Sequence, residues 1–463
     1  MKLVKYFLPL TLVLSAMPAM SQTALTVEQC REMAVENNKK MAISAENRRK
    51  AGFDVKSYKA NYFPKLSATG NYLFSSSSMK KKISGNYLPT FVPDPATGQL
   101  VPNILTTVDG VPIFKEYAYF PDMDLELKLN GTYMAGLQLE QPIYMGGKIN
   151  SAYKMSKIGA EIASLNEAKT RTEVILESDE AYWTYVQTLE LAKTARAYQD
   201  LVRHLLKDVE NAFEAGLKPR NDLLKVQVKL NEAALQVMQA ENGVRLSRMS
   251  LCHVIGLPLD TDITADSIPD KVLQGDLPAP DLTGRSEYAM LDKQVELKSQ
   301  QVKLARSEFL PNIGVAGNFG YANGLKLNGD RLLDNTSFSA VVSVSVPLFH
   351  GFEGRNKVES SQSERNIAVL QRDELTEKME LEVQQARNAF EESKMEVLLT
   401  RRSLEQAEEN MRESKDRYDA GMETMSDLLE SQTMWQQAHS DLVRARTSAM
   451  LCETRYLKAA GRL

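Results

Sequence analysis

Two seventeen-residue stretches constrain this chain more than any other feature. Asn211–Gln227 reads NAFEAGLKPRNDLLKVQ, and Asp416–Gln432 reads DRYDAGMETMSDLLESQ. They stand 205 residues apart, and each sets an Ala-Gly pair (Ala215-Gly216, Ala420-Gly421) ahead of an Asp-Leu-Leu that begins at Asp222 or Asp427. A constant shift between such stretches is the mark of a duplicated chain. Glycine ends a helix by taking the left-handed conformation, and an acid near the next helix start meets the positive end of its dipole. Each stretch is therefore expected to be the tip of two antiparallel helices.

The runs on either side of the tips support that reading. Lys148 to Phe213 contains no proline, a helix of roughly 100 Å at 1.5 Å per residue. After the first tip, Leu223, Val226, Leu230, Ala233, Val237, Ala240, Val244, Ser247 and Leu251 step by three and four. In the second half Met379, Val383, Ala386, Phe390, Ser393, Val397, Thr400, Leu404, Ala407, Met411, Ser414 and Tyr418 do the same. Leu428, Ser431, Trp435, Ala438, Leu442, Ala445, Ala449 and Cys452 continue past the second tip. These are heptad seams, and their small residues let helices approach closely.

Between the helices the period changes to two. Leu66–Phe74, Ile313–Tyr321 and Phe338–Val346 each alternate a mostly apolar face with a smaller or polar one, the pattern of a strand. From Asp124 to Glu140 the alternation holds without a break, with Leu125, Leu127, Leu129, Gly131, Tyr133, Ala135, Leu137 and Leu139 on one parity. A single strand is expected there, longer than the ~9–11 residues that cross a bilayer. Helices are expected over Leu25–Tyr62, capped by Thr26 and closed by Pro64, and over Arg285–Phe309, closed by Pro311. Ser75–Pro121 carries a serine run, Lys80-Lys81-Lys82 and prolines at 89, 93, 95, 102, 112 and 121. It is too long for an ordinary loop, and an extended hairpin is expected. Ile255–Gly284 is rich in Pro and Asp and reads as a linker.

Met1–Ser21, with lysines at 2 and 5, an apolar core and small residues before Gln22, reads as a secretory signal. Beyond it no apolar run is long enough for a membrane-crossing helix, which leaves a β-barrel open. Two repeats are expected, 22–254 and 285–463, with tips at 214–222 and 419–427 and the linker 255–284 between them. The 463 residues are 25% charged with net charge −4, a balance that argues against nucleic acid as partner. Three cysteines exclude a disulfide framework but not one bridge, and Cys452, on the seam, reads as a buried small hydrophobe. His204, His253, His350 and His439 are scattered, and no metal site or cofactor is expected. No phosphate loop or nucleophile motif stands in context, so an enzyme is not expected. Trp183 and Trp435 read as core.

Four amphipathic strands per chain cannot close a barrel, and open edges are not tolerated in hydrocarbon. Several copies must pool their strands, and three copies supply twelve, an even number within the bacterial range. A soluble coiled-coil scaffold explains the helices but leaves the strands without a role.

With these pieces in order, the chain resembles the outer membrane efflux protein family of TolC-like outer membrane factors. The resemblance is carried by LTVEQCREMAVENN, by YFPKL and FLPNI before the strands, by QPIYMGGK and VPLFHGFEGR after them, and by the two tips. It implies an α+β membrane protein: a long antiparallel coiled-coil tunnel joined to a trimeric twelve-stranded β-barrel, four strands per chain. It also implies an exit duct in the outer membrane, reaching into the periplasm and passing small molecules for a tripartite pump. The partners would be a homotrimer's other copies, a periplasmic adaptor (membrane fusion protein), an inner-membrane transporter of RND, ABC or MFS type, and outer membrane lipids. A type I protein secretion channel is the alternative use.

The same resemblance assigns residues. Asp427 and Glu430, with Asp222 in the first tip, match acids that ring the narrowed tunnel, although an acid there also serves its own helix start. Tyr418 matches a tyrosine of the closed gate, whose basic partner position is Glu423 here. Gly216-Leu217 and Gly421-Met422 are the expected adaptor contacts. Tyr144 and Phe349 are expected at the membrane interface.

Overall fold

The computed structural model describes residues 24–76, 78–128, 131–268, 277–332 and 334–463. The expected signal segment 1–21, the strand positions Leu129 and Asn130, and residues 269–276 of the linker lie outside them. In chain order β1 (Ala24–Leu25) precedes α1 (Val27–Asn37), α2 (Lys39–Ala60) and β2 (Lys65–Leu73). The long segment after β2 holds β3 (Ser78–Ile83), β4 (Asn86–Pro89), β5 (Phe91–Pro93), β6 (Leu100–Pro102), β7 (Ile104–Val108), β8 (Val111–Phe114), β9 (Tyr117–Phe120) and β10 (Met123–Lys128). Then come β11 (Thr132–Met145), α3 (Lys148–Glu214), α4 (Arg220–Ile255), β12 (Thr264–Ala265) and α5 (Ser286–Ser307). Six elements follow: β13 (Asn312–Asn323), β14 (Lys326–Leu327), β15 (Asp330–Arg331), β16 (Asp334–Ser345), α6 (Glu353–Asp419) and α7 (Met425–Ala459). One compact unit gathers the residues up to Val55 with Lys154–Gln300 and Ser361–Leu463; a second gathers Lys56–Tyr153 and Gln301–Ser360.

The first unit is helical, and its seams follow the 4-3 steps of the sequence. In α6 every seam position from Met379 to Tyr418 is buried or half-buried, with Phe390, Ser393 and Tyr418 among the buried ones. The α4 seam behaves likewise, with Val226, Ala233, Ser247 and Leu251 buried. Helix α7 goes further: Val443, Thr447 and Thr454 are buried beside the seam residues Ala445 and Ala449, so it is packed on two sides. Trp183 is buried, and Trp435 packs half-buried against the tip cluster.

Three expectations change in this unit. The run expected as one helix over Leu25–Tyr62 breaks at Asn38, which is extended at φ −69° and ψ 132°. Its side chain donates to the Val254 carbonyl at 2.9 Å and accepts from the Lys40 N–H at 2.8 Å, local bonds that compete with the helix ladder. Cys452 is half-buried rather than buried, while Cys30 and Cys252 are the fully buried pair, and all three are free. The linker also does more than connect, because β12 pairs in parallel with β1. Thr26 caps α1 as expected, in a reciprocal box with Gln29. A buried polar tie then joins three helices. Arg31 donates twice to Asp179, at 2.7 and 2.5 Å, and the Thr454 hydroxyl donates to the same carboxylate at 2.7 Å. The fully buried charge is thereby paired and bonded, as burial requires.

The second unit is built on a four-stranded antiparallel sheet in the order β16-β13-β11-β2. Its register brings the apolar parities of all four strands to one face. Ala68, Leu137, Phe319 and Phe338 form one cross-strand row, and Leu66, Leu139, Gly317 and Ala340 form the next. Ser67, Gln138, Asn318 and Ser339 fall on the opposite face. A one-residue slip of any strand would mix the two faces. Strands β2 and β16 each pair on one side only, and every residue of both is exposed.

The alternation expected as one strand from Asp124 to Glu140 is divided between two sheets. β10 belongs to a second sheet in the order β15-β14-β10-β3, and β11 to the first. Gly131, at φ +73°, lies between them, a left-handed conformation that interrupts a ladder and favours glycine. The segment Ser75–Pro121 is the extended hairpin expected, with β3 on β10 and β4 on β9. Its end branches, however, into two small hairpins, β5–β6 and β7–β8. Thr90, Asn103 and Glu116 tie the branch: Thr90 N–H and hydroxyl both donate to the Glu116 carbonyl, and Asn103 N–H donates to the Thr90 carbonyl at 2.9 Å.

Candidate functional site

The two hairpin tips close in the same way. Gly216 (φ +69°) and Gly421 (φ +73°) take the left-handed conformation just after α3 and α6. Leu217 N–H donates to the Ala212 carbonyl and Met422 N–H to the Arg417 carbonyl, both at 2.8 Å, the pattern that satisfies the last carbonyls of a helix. A Cβ at either glycine would meet nothing, so backbone conformation alone calls for glycine here. Leu217 and Met422, at equivalent places, are among the most exposed apolar side chains of the chain, at 76% and 75%. The glycine-apolar pairs expected to meet an adaptor are thus free surfaces in the single chain.

The second helix of each hairpin starts differently. Pro219 precedes α4 without a side-chain cap. Thr424 precedes α7 and forms a reciprocal box with Asp427, whose Oδ2 accepts the Thr424 hydroxyl at 2.6 Å and the Thr424 N–H at 3.2 Å. These bonds from Thr424, hydroxyl first, hold the Asp427 carboxyl below its ordinary value. Asp427 therefore serves its own helix start while remaining exposed. Glu430 is exposed too, on a groove it shares with Lys225, Lys229 and Ser426. Asp222 is half-buried in the first turn of α4.

The tips also meet each other. Leu428 and Met425 are almost wholly buried against Val202, Val226 and Tyr418, so the Asp-Leu-Leu of the second tip is driven into the seam with the first. Lys225 Nζ donates to the Ser426 hydroxyl at 2.9 Å. Lys218 Nζ stands 3.9 Å from the centre of the Tyr418 ring, a cation–π contact worth about 0.5–2 kcal/mol depending on solvent. Burial, reinforced by Asp222 and Asp419, pushes the Tyr418 hydroxyl up to about 12; it stays protonated, and no hydrogen-bond partner reaches it among the described residues. Glu423, at the position where a base was expected from the resemblance, accepts from the Ser414 hydroxyl of its own hairpin at 2.8 Å. Lys218 holds in the first tip the place that Glu423 holds in the second, so a cation reaches Tyr418 from the other hairpin.

Thr424 and Lys218 were not singled out from sequence. Thr424 was legible, since a threonine three residues before an acid at a helix start is the capping pattern. Lys218 was not, because nothing local links it to a tyrosine 200 residues away. Tyr144 follows a register shift at Pro142 in β11, and Phe349 stacks edge-on against Phe352 at 5.8 Å; both are exposed. No helix among the described residues is long and apolar enough to cross a membrane, which says nothing of a barrel.

The chain thus combines an amphipathic sheet open at both edges with long helical hairpins. Among solved structures the chain is similar to the CmeC outer membrane channel of Campylobacter jejuni, with TM-score 0.72 at 17% identity over 94% of this chain and 85% of that one. The chain belongs to the outer membrane efflux protein family, which it matches over residues 30–257 and 284–462. It is also similar to the alkaline protease secretion protein AprF of Pseudomonas aeruginosa, 25% identical over 232 residues, 48% of this chain and 47% of AprF. Protein CyaE of Bordetella pertussis is 24% identical over 246 residues, 48% of this chain and 51% of CyaE. The chain spans about half the length of the curated relatives it matches. The family is one of outer-membrane efflux and secretion channels, not of enzymes.

Proposed function

We propose that this chain is the outer-membrane exit duct of a tripartite efflux pump, working as a homotrimer whose three four-stranded sheets close one twelve-stranded barrel. The observation that carries this is the sheet β16-β13-β11-β2: one face apolar, both edges unpaired. Such edges cannot stand in hydrocarbon, and the register leaves each copy one β2 edge and one β16 edge to offer its neighbours. The two halves, each with a strand hairpin and a helical hairpin, support an internal duplication. In this reading the helices reach the periplasm, and the exposed Gly216-Leu217 and Gly421-Met422 meet the adaptor of an RND, ABC or MFS transporter. Tyr144 and Phe349 then belong to the aromatic girdle.

Asp427, Glu430 and Asp222 are the proposed acidic ring of the periplasmic mouth. One oxygen of Asp427 is committed to Thr424, and the other is free to face a lumen. The Lys218–Tyr418 contact between hairpins is the proposed latch of the closed state. Type I protein secretion is the second reading, favoured by the similarity to AprF, whose name is that of a secretion protein. Deletion of the gene separates the two. A duct for small molecules predicts dye retention and drug sensitivity with normal culture supernatants; loss of a secreted protein with unchanged drug sensitivity overturns the efflux reading.

A further inference from the structure

The outer sheet repeats the order of the larger one strand for strand. β3 follows β2, β10 precedes β11, β14 follows β13 and β15 precedes β16, so β15-β14-β10-β3 is the larger sheet's order carried outward. It is sharply two-faced. Cross-strand pairing puts Met79, Leu125, Leu127 and Leu327 on one face, together with Ile83 and Met123. Among the described residues that face carries two charges only, Lys81 on β3 and Asp330 on β15, and these strands are the two free edges. On the opposite face the other lysines of the run are engaged: Lys80 meets Glu126 at 3.2 Å, and Lys82 meets Asp122 at 2.8 Å. Neither Lys81 nor Asp330 has an ion-pair partner among the described residues.

We propose that this outer sheet also closes between copies of the chain, with edge β3 of one copy against edge β15 of the next and Lys81 paired with the neighbour's Asp330. The proposal rests on the trimeric reading above. Lysines on an exposed edge ordinarily hold off strand pairing. Here two of the three are drawn to acids of their own chain, and the third is matched by an acid at the complementary edge. Opposite charges across a strand pair stabilise it, and like charges oppose it. The directions agree as well: β3 leads outward from β2, and β15 leads back into β16, so the contact is antiparallel. A second closed tier would hold the branched extension beyond it on three tethers.

The test uses the full chain in outer membranes. Lys81→Cys with Asp330→Cys, treated with a short bifunctional thiol reagent, should give covalent dimers and trimers on a denaturing gel. Lys80→Cys with Asp330→Cys, whose side chains leave opposite faces, should give none. Thr69→Cys on β2, combined in turn with Asn335→Cys, Ser337→Cys and Ser339→Cys on β16, reports contact at the larger sheet. Cross-links there but none at Lys81/Asp330 overturn the proposal and leave the trimer intact; none at either place overturns the trimer itself. As a second readout, Lys81→Asp should lower the temperature at which detergent-resistant trimers dissociate, and adding Asp330→Lys should restore it. Loss without restoration counts against the pairing.

Discussion

At the scale of single residues, the tip of α7 shows one carboxylate with two possible employments. Asp427 accepts from Thr424 through one oxygen, which lowers its pKa and ties its charge to the helix start. A group with a depressed pKa stabilises the fold above its ordinary value and ceases to do so as pH falls through the depressed one. The helix start is therefore weakened only in acid. In a trimer, Asp427 and Glu430 would bring six carboxylates to one mouth, where like charges concentrate cations. The purified trimer in a planar bilayer should prefer cations, and trivalent ions on the periplasmic side should block it. Asp427→Ala with Glu430→Ala should weaken both effects with barrel assembly intact. Selectivity and block unaltered by the double change would leave Asp427 as a cap and nothing more.

Elements are held by seams whose small residues leave no room. Ala445 and Ala449 of α7 are wholly buried and pack with Val397 of α6. A tryptophan at Ala445 would overpack that contact, at a cost of about 1–3 kcal/mol, and should reduce trimer yield and efflux while the strands still insert. Ala438, half-buried, should bear the same change more easily. Equal tolerance at the two positions, measured as trimer yield, would mean that close helix contact is not what these alanines provide. Where the helices end, the reasons differ from one case to the next. Asn38 divides the first helical run by binding the Val254 carbonyl, a tertiary partner that no local pattern announces.

For the whole molecule, topology carries the proposed orientation, with the segment between β2 and β11 facing out. The strands β2 and β13 are each entered from a helix, so the segment between β2 and β11 leaves at their far ends. It is a paired and branched hairpin with exposed apolar side chains, among them Tyr87, Phe91, Leu100 and Tyr119. Protease added to intact cells should nick Ser75–Pro121 before any helix. Cleavage only after the outer membrane is permeabilised would reverse the proposed orientation.

Periodicity was enough to read the long helices and the four strands of the larger sheet, though not the break at Asn38 or the division of Asp124–Glu140. The 4-3 steps from Met379 to Tyr418 became a continuous seam of buried and half-buried side chains, and the period-two runs became strands whose apolar parities share a face. Both follow from backbone geometry, because 3.6 and 2.0 residues per turn decide which side chains point together. The tips were legible for the same local reason, since only a left-handed residue ends a helix as Gly216 and Gly421 do. What tertiary structure decided was everything that depends on residues far apart in sequence. It set the division of Asp124–Glu140 between two sheets, the Arg31–Asp179–Thr454 tie, and the approach of Lys218 to Tyr418. These contacts are made by folding distant segments together, and no periodicity in a single segment encodes its partner.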